Sequence, residues 1–384
     1  METTLTSGRF GRRVAAERLL IALFVIALLL PGLGLLTPIP IARARPPAER
    51  PIAAPVLRLN QKSLLAYPAA FYQYFTRNFA FRALLVRTHS LVKVRWLRVS
   101  PTEDVIIGSD GWLYYGGEGE LDCARHTRPF PTPMLRRWQT ILEGRRDWLA
   151  KRHIKFLVVI CPDKHTIYPE HLPLAAHPVA EPSRLDQLME HMRAHSDVTM
   201  LDLRPALLKA KSRYPVYHRL DTHWSATGAF VAHQEILRKL QAWYPQTPIP
   251  ELAEYRVKVR PALQHDLADL LGFSEGELSE NVLGIAPKHQ HTWKVVGGDR
   301  KRLEMGNLVT DFAVSEKRGA PIPRVVMLRD SFSMALVPFL SEQFGYAAYV
   351  WSDIFDLNLL EREHPDVVIW ELVERRLMKP TPWM

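Results

Sequence analysis

The stretch "RVVMLRDSFSMAL", Arg324–Leu336, decides how the rest of the chain is read. Val325–Leu328 form an apolar run of strand length. Asp330 and Ser331 follow at once, and helix-like spacing resumes soon after. Continuous apolar runs mark strands buried on both faces. Similar runs occur in "IKFLVVICP" (154–162), "VTMLDL" (198–203), "YAAYVW" (346–351) and "DVVIWEL" (366–372). Helical patterns lie between them: "PMLRRWQTILEGRRDWLAKR" (133–152), "SRLDQLMEHMRAH" (183–195), the stretch Ser225–Trp243, and "DLNLLEREH" (356–364). "SMALVPFLSEQF" (333–344) reads as a helix interrupted by Pro338. Strands alternating with helices predict an α/β fold with a mainly parallel sheet flanked by helices, and sites in such folds gather at the carboxyl ends of the strands. "DVIIGSDGWLYYGG" (104–117) predicts a hairpin around Asp110-Gly111. Residues 61–97 show helical spacing on either side of Asn78 and read as helices leading into the domain; residues 245–320 carry no regular pattern.

A serine at a sharp strand-to-helix turn exposes its hydroxyl where main-chain N–H groups can receive an oxyanion. Ser331 is therefore a candidate nucleophile, and Ser333 a candidate helix cap. Serine needs a base, and the base needs an orienting carboxylate. "YHRLDTHWSATGAF" (217–230) offers both as Asp221-x-His223, with Trp224 behind them. Each residue alone has an ordinary reading: a cap, a solvated imidazole, a core tryptophan. A metal set of His218, Asp221, His223 and His233 is the competing arrangement. His233 would stand two to three turns into the following helix, so no tight ligand cluster is implied and no metal is expected.

The amino terminus places Arg9, Arg12, Arg13 and Arg18 before an uncharged apolar run from Leu19 to Leu36. As a helix that run is about 27 Å long, near the thickness of a bilayer core. The expectation is a basic cytoplasmic tail (1–18), a transmembrane signal anchor (19–36) and the remainder outside the cytoplasm. "ARA" at Ala42–Ala44 is the alternative, a cleavage site, though it lies well past the apolar run. Residues 37–58 form a proline-rich linker, a semi-rigid spacer, and 59–384 the expected globular domain. The formal charge is +10. No zinc-finger spacing or basic recognition helix accompanies it, so nucleic acid is not expected. Cys123 and Cys161 are the two cysteines, open to pairing or to burial as thiols.

Four blocks carry a family resemblance: "NFAFR" (Asn78–Arg82) with "GSDGWLYYGG" (Gly108–Gly117), "CPDKHTIYPEHLP" (Cys161–Pro173), "DTHWSATGA" (Asp221–Ala229) and "RDSFS" (Arg329–Ser333). "WELVERR" (Trp370–Arg376) resembles the closing strand. From about residue 65 onward the chain resembles the alginate O-acetyltransferases of the AlgJ/AlgX type, which carry an SGNH-hydrolase-like domain. The block order is itself informative, because ordinary SGNH hydrolases place the serine first. The resemblance implies Ser331 as the acylated nucleophile, His223 as general base and acid, and Asp221 as its orienting carboxylate. Lys164, Tyr168, Trp224, Arg329 and Trp370 are the accompanying candidates for substrate contacts or the oxyanion site, with local packing as the alternative; Arg329 stands where SGNH enzymes typically carry glycine. Trp112, Tyr114 and Tyr115 are candidates for stacking on sugars. The resemblance further implies no cofactor, an acetyl donor supplied by a membrane-bound acyltransferase partner, an exported polysaccharide as acceptor, and a periplasmic domain held at a bacterial inner membrane. A carbohydrate esterase with the same three residues, or a non-catalytic polysaccharide-binding member of a secretion complex, are the competing functions.

Overall fold

Alternate residues of one strand feed opposite faces of a sheet, and this chain's apolar strands use both. A computed structural model describes residues 4–34, 52–263, 265–273, 276–289, 292–297, 312–352 and 354–379. Most of the expected linker, including Ala42–Ala44, lies outside the described residues. Contacts divide the chain into two units, Met1–Thr102 with Ala268–Glu277, and Glu103–Leu267 with Leu278–Met384.

The described residues of the first unit include the α-helices α1 (Thr4–Leu33), α2 (Gln61–Asn78) and α3 (Arg82–Leu91), the last continued by a π-helical turn, Val92–Leu97. Asn60 caps α2 by accepting the Ser63 N–H at 2.9 Å. Among the described residues no helix is long and apolar enough to cross a membrane. The end of the span expected at 19–36 falls outside them. Residues 61–97, read from sequence as helices leading into the domain, belong to this unit.

The second unit is the α/β body. Strands β1 (Val105–Ile107) and β2 (Leu113–Tyr115) form the expected antiparallel hairpin. Asp110 and Gly111 at its turn have φ of 52° and 75°, the left-handed region that Asp and Gly tolerate best. Then come α4 (Thr132–Ala150), β3 (Lys155–Cys161), α5 (Arg184–His195), β4 (Met200–Asp202) and α6 (Ala226–Leu240). Next are β5 (Tyr255–Ala262), β6 (Glu280–Pro287), β7 (Lys294–Gly297), β8 (Phe312–Glu316), β9 (Ile322–Arg329) and β10 (Phe344–Trp351). The described elements close with α7 (Leu357–Glu363) and β11 (Val367–Val373), followed by one 3₁₀ turn.

The main sheet has seven strands in the order β4-β3-β11-β9-β10-β8-β7. The run β4-β3-β11-β9-β10 is parallel, and β8 and β7 join antiparallel at one edge. The expected parallel sheet is thus extended by an antiparallel edge. Leu157 and Val159 of β3, Val325 and Met327 of β9, and Val367 and Ile369 of β11 pack on one face with Phe230, Ile236 and Leu237 of α6. Their neighbours Val158, Val326, Leu328 and Val368 pack on the other face with Trp138 and Leu142 of α4, Leu188 of α5 and Leu360 of α7. Each large apolar side chain taken from water contributes about 1.5–3 kcal/mol.

The stretch 245–320, expected to be irregular, holds β5 and β6, an antiparallel ribbon in register from Tyr255 opposite Pro287 to Ala262 opposite Glu280, as well as β7 and β8. β5 is exposed along most of its length. Its sequence alternates Tyr255, Val257 and Val259 with Arg256, Lys258 and Arg260, a strand signal that the irregular reading of this stretch missed. Pro338, expected to interrupt a helix, instead lies in the first turn of a short one, Val337–Leu340, where its missing N–H costs nothing.

Candidate active site

β9 ends at Arg329, and a single 3₁₀ turn, Ser331–Ala335, leaves it. Asp330 is the cap of that turn: its Oδ1 accepts the Phe332 N–H at 2.9 Å. Its Oδ2 accepts the Val373 N–H at 2.8 Å, and its own N–H donates to Glu371 Oε2 at 2.9 Å. One carboxylate therefore fastens the serine turn to the neighbouring end of β11. Ser333, expected to be the cap, is buried and donates to the Asp330 carbonyl at 3.1 Å.

Asp221 and His223 sit in the loop before α6. The helix starts at Ala226 because Ser225 accepts the Gly228 N–H at its first turn. The loop meets the serine turn although the two are 108 residues apart: His223 Nε2 lies 2.8 Å from Ser331 Oγ. On the other side of the ring, Nδ1 lies 2.8 Å from Asp221 Oδ1, which also accepts the His223 main-chain N–H at 2.9 Å. With Nδ1–H donated to Asp221, Nε2 is left to accept the Ser331 hydroxyl. That is the connectivity a serine nucleophile and its base require.

A second carboxylate, which sequence reasoning did not single out, completes the surroundings. The Asp266 N–H donates to Asp221 Oδ2 at 3.0 Å, and Asp266 Oδ1 accepts the Thr222 N–H at 2.7 Å. Its Oδ2 is 3.7 Å from His223 Nδ1. Burial works against charge on the His223 ring, but the hydrogen bond and charge of Asp221, with the charge of Asp266, outweigh it and raise the imidazole above its ordinary value. Burial alone would lift the Asp221 carboxyl; the His223 hydrogen bond and charge hold it well below the usual carboxylate range instead. Asp266 moves the other way, raised by burial and by the charge of Asp221.

The loop rests on a buried lysine. Lys164 Nζ donates to the carbonyls of His218, Arg219 and Asp221 at 3.1, 3.3 and 2.7 Å. The ammonium also lies over the rings of Tyr114 and Trp112, at 5.2 and 5.8 Å. β2 joins the same support, the Leu113 N–H donating to the Arg219 carbonyl at 3.0 Å. Glu280, at the start of β6, accepts the N–H groups of Arg219 and Leu220 at 2.9 and 3.3 Å. The hairpin, the "CPDK" turn and the β5–β6 ribbon thus converge on one loop.

The five residues expected to contact substrate or to shape the oxyanion site are placed otherwise. Lys164 is buried under the loop. Tyr168 is buried, its hydroxyl accepting the Val216 N–H at 3.0 Å and its ring 4.4 Å from that of Trp112. The buried Trp224 donates its indole N–H to the Phe332 carbonyl at 2.9 Å. Arg329 is buried, with its guanidinium over Trp351 and an N–H donated to the Asp330 carbonyl at 3.2 Å. Trp370 stacks on Trp138 in the core of the far face. Of the aromatic residues considered for sugar stacking, Tyr114 is buried, Trp112 is sandwiched between Tyr168 and His171, and half-buried Tyr115 lies beside the Arg375 guanidinium. Open space lies elsewhere. A cleft of about 560 Å³ is lined by His218, Ala226 and Ala335 on the loop side and by Arg256, Lys258 and Arg260 of the ribbon.

Among the described residues two groups have metal-ligand spacing, Asp221–His223–Asp266 and buried Cys123–Asp163–His165. In the first, both ring nitrogens of His223 are already engaged, by Asp221 and Ser331. In the second, Asp163 is ion-paired with Arg375. His233, from the alternative metal set, is buried beside Phe230 and Phe339, and burial lowers its imidazole to about 3, keeping it neutral. Cys123 and Cys161 are both free buried thiols; the Cys161 thiol donates to Glu371 at 3.1 Å.

Residues 105–301 match the sequence model of the family described as "SGNH hydrolase-like domain, acetyltransferase AlgX". That span includes Asp221, His223 and Asp266 and stops short of Ser331. A probable alginate O-acetylase, AlgJ, of Pseudomonas syringae pv. tomato is 26% identical over 290 residues, covering 71% of this chain and 69% of the relative. The corresponding protein of Azotobacter vinelandii is 24% identical over 291 residues, with coverage of 71% and 69%. Among solved structures, PatB1 of Bacillus cereus superposes with a TM-score of 0.54 at 16% identity, covering 71% of this chain and 97% of that one; this likeness concerns the fold.

Proposed function

The chain belongs to the SGNH hydrolase-like AlgX acetyltransferase family, and we propose that it moves an acetyl group through an acyl-enzyme on Ser331 to hydroxyls of an exported polysaccharide. The observation that carries this reading is the unbroken line of contacts Asp221–His223–Ser331, at 2.8 Å on each side of the imidazole.

As Ser331 Oγ attacks the acetyl carbonyl of the donor, its proton passes to His223 Nε2. Asp221 holds Nδ1–H and stabilises the imidazolium. The departing donor group takes the proton back, leaving the acetyl ester on Ser331. A sugar hydroxyl then gives its proton to His223 and attacks that ester, and the returned proton restores Ser331. The developing oxyanion falls to the main-chain N–H of Ser331. The Phe332 N–H is not the second donor, because it is committed to Asp330 Oδ1 at 2.9 Å. The steps need no cofactor. The acetyl donor in this scheme is a membrane-bound acyltransferase, and the setting is the periplasmic side of a bacterial inner membrane.

Brief exposure of the protein to an activated acetyl ester, followed by peptide mass spectrometry, tests the reading. An acetyl adduct on Ser331 that is absent from Ser331→Ala and moves to added oligosaccharide is the expected result. Release of acetate at one rate with or without oligosaccharide makes the protein an esterase. No adduct at all makes it non-catalytic.

A further inference from the structure

From Arg58 to Arg98 the chain carries eight Lys and Arg and not one Asp or Glu. The whole chain has a formal charge of +10, so most of its excess lies in these 41 residues. Among the described residues outside α1, the same segment has the densest exposure of large apolar side chains. Helix α2 has no buried residue. Leu64, Leu65, Phe71 and Tyr72 lie at i, i+1, i+7 and i+8, within one face of about 120°, and all four are exposed, Leu65 at 76% and Tyr72 at 69%. At the end of the segment Trp96 is 81% exposed with Leu97 beside it, flanked by exposed Arg95 and Arg98.

Globular helices turn such a stripe inward; this one turns it to solvent. Arg87 pairs with Glu277 at the far end of the chain's first unit. Lys62, Arg95 and Arg98 have no carboxylate partner among the described residues. An apolar stripe flanked by cations, with exposed tryptophan and tyrosine and no acidic group, combines the two forces that hold a helix at an anionic lipid surface. Apolar side chains enter the headgroup–acyl boundary while Lys and Arg meet the phosphates. A nucleic acid would use the charge and leave the leucines exposed. An acidic protein surface would use the charge without needing Trp and Tyr at a water–lipid boundary.

We infer that residues 58–98 form a peripheral binding surface for an anionic phospholipid bilayer, laid flat against it by the exposed face of α2 and by Trp96. This does not rest on the acyl-transfer reading.

The test uses the full chain with one added thiol at a time, Tyr72→Cys, Trp96→Cys or, in the α/β body, Leu174→Cys, which replaces a residue 89% exposed. Cys123 and Cys161 are buried, so an environment-sensitive fluorophore attaches at the new site. The labelled proteins are mixed with vesicles of brominated phosphatidylcholine, with or without brominated phosphatidylglycerol. The expected result is quenching and a blue shift at positions 72 and 96 on the anionic vesicles, much weaker on the zwitterionic ones, and none at 174. Each surface cation adds about fivefold to partitioning, so Lys62→Glu/Arg95→Glu/Arg98→Glu should weaken the quenching titration by at least about a hundredfold, the loss of the three cations alone. Because quenching reports local contact, it reads this surface even where α1 holds the chain on vesicles. Flotation without quenching at 72 and 96, equal quenching on both vesicle types, quenching at 174, or no binding overturns the inference. Acetylation of Ser331 by a small ester, measured on the same charge-reversed chain, should be unchanged.

Discussion

Trp224 joins the two halves of the site: its indole N–H donates to the carbonyl of Phe332 at 2.9 Å. The residue after the imidazole thus holds the residue after the hydroxyl. Trp224→Phe keeps the apolar bulk and removes that donor. The expected cost is about 1 kcal/mol of stability and a fall in kcat larger than the change in KM, because the Ser331–His223 distance is no longer pinned. Chemical denaturation and steady-state kinetics with an acetyl ester check both numbers.

Asp221→Asn removes the charge that orients Nδ1–H and can hold the ring in the wrong tautomer. Deacetylation and transfer should drop by roughly 10³–10⁴-fold with little change in folding. Equal activity of the variant and the natural protein would remove Asp221 from the reaction.

Asp266 tunes the same imidazole from a second side. An imidazole accepts a proton only when neutral; burial lowers the His223 pKa, but Asp221 and Asp266 outweigh burial and raise it, with the Arg375 charge opposing them. The acid limb of kcat/KM should therefore lie above the ordinary histidine value, activity rising as pH passes through it. Asp266→Asn takes away one negative charge, so the imidazolium becomes easier to deprotonate and the limb moves to lower pH. A variant with lower activity but an unmoved profile would reduce Asp266 to a support for the loop.

Lys164 supports the loop at the cost of a buried ammonium. Burial lowers its ammonium to about 8. The unfolded chain thus binds a proton there that the folded chain has lost, between that value and the ordinary lysine range. This group therefore makes stability rise with pH in that window. Lys164→Met abolishes the rise and leaves the carbonyls of His218, Arg219 and Asp221 without their donor, for a net loss of about 2–3 kcal/mol near neutral pH. Denaturation of both proteins across that window gives the difference directly.

The parallel body was legible because its strands are apolar on both faces, from Phe156–Cys161 to Val367–Val373. The hydroxyl, imidazole and carboxylate were legible because each stands where a strand or a helix begins or ends. Asp266 was not: nothing in "HDLADL" (265–270) tells its cap-like aspartate from any other, and its role depends on a main-chain N–H meeting Asp221 across 45 residues. Asp330 was passed over in favour of Ser333 because both fit a helix start, and only the position of the β11 end decides between them. Lys164, Tyr168 and Trp224, read from sequence as candidates for substrate contact, bond main-chain groups of the loop and the serine turn. Their side chains face the underside of the site, a distinction that residue type does not carry.

The last described strand in chain order is not last in the sheet. β11 lies between β3 and β9, paired with both, more than 200 residues after β3. Until residues 367–373 emerge, β3 has an unfilled edge and β9 has no neighbour on that side. Assembly of the central sheet must then wait for residues 367–373, and such long loop closures slow folding. A nascent or truncated chain lacking that strand should present raw sheet edges to chaperones and proteases, and the Ser331 turn, fastened to β11 through Asp330 and Val373, is held in place only once residues 367–373 are in hand.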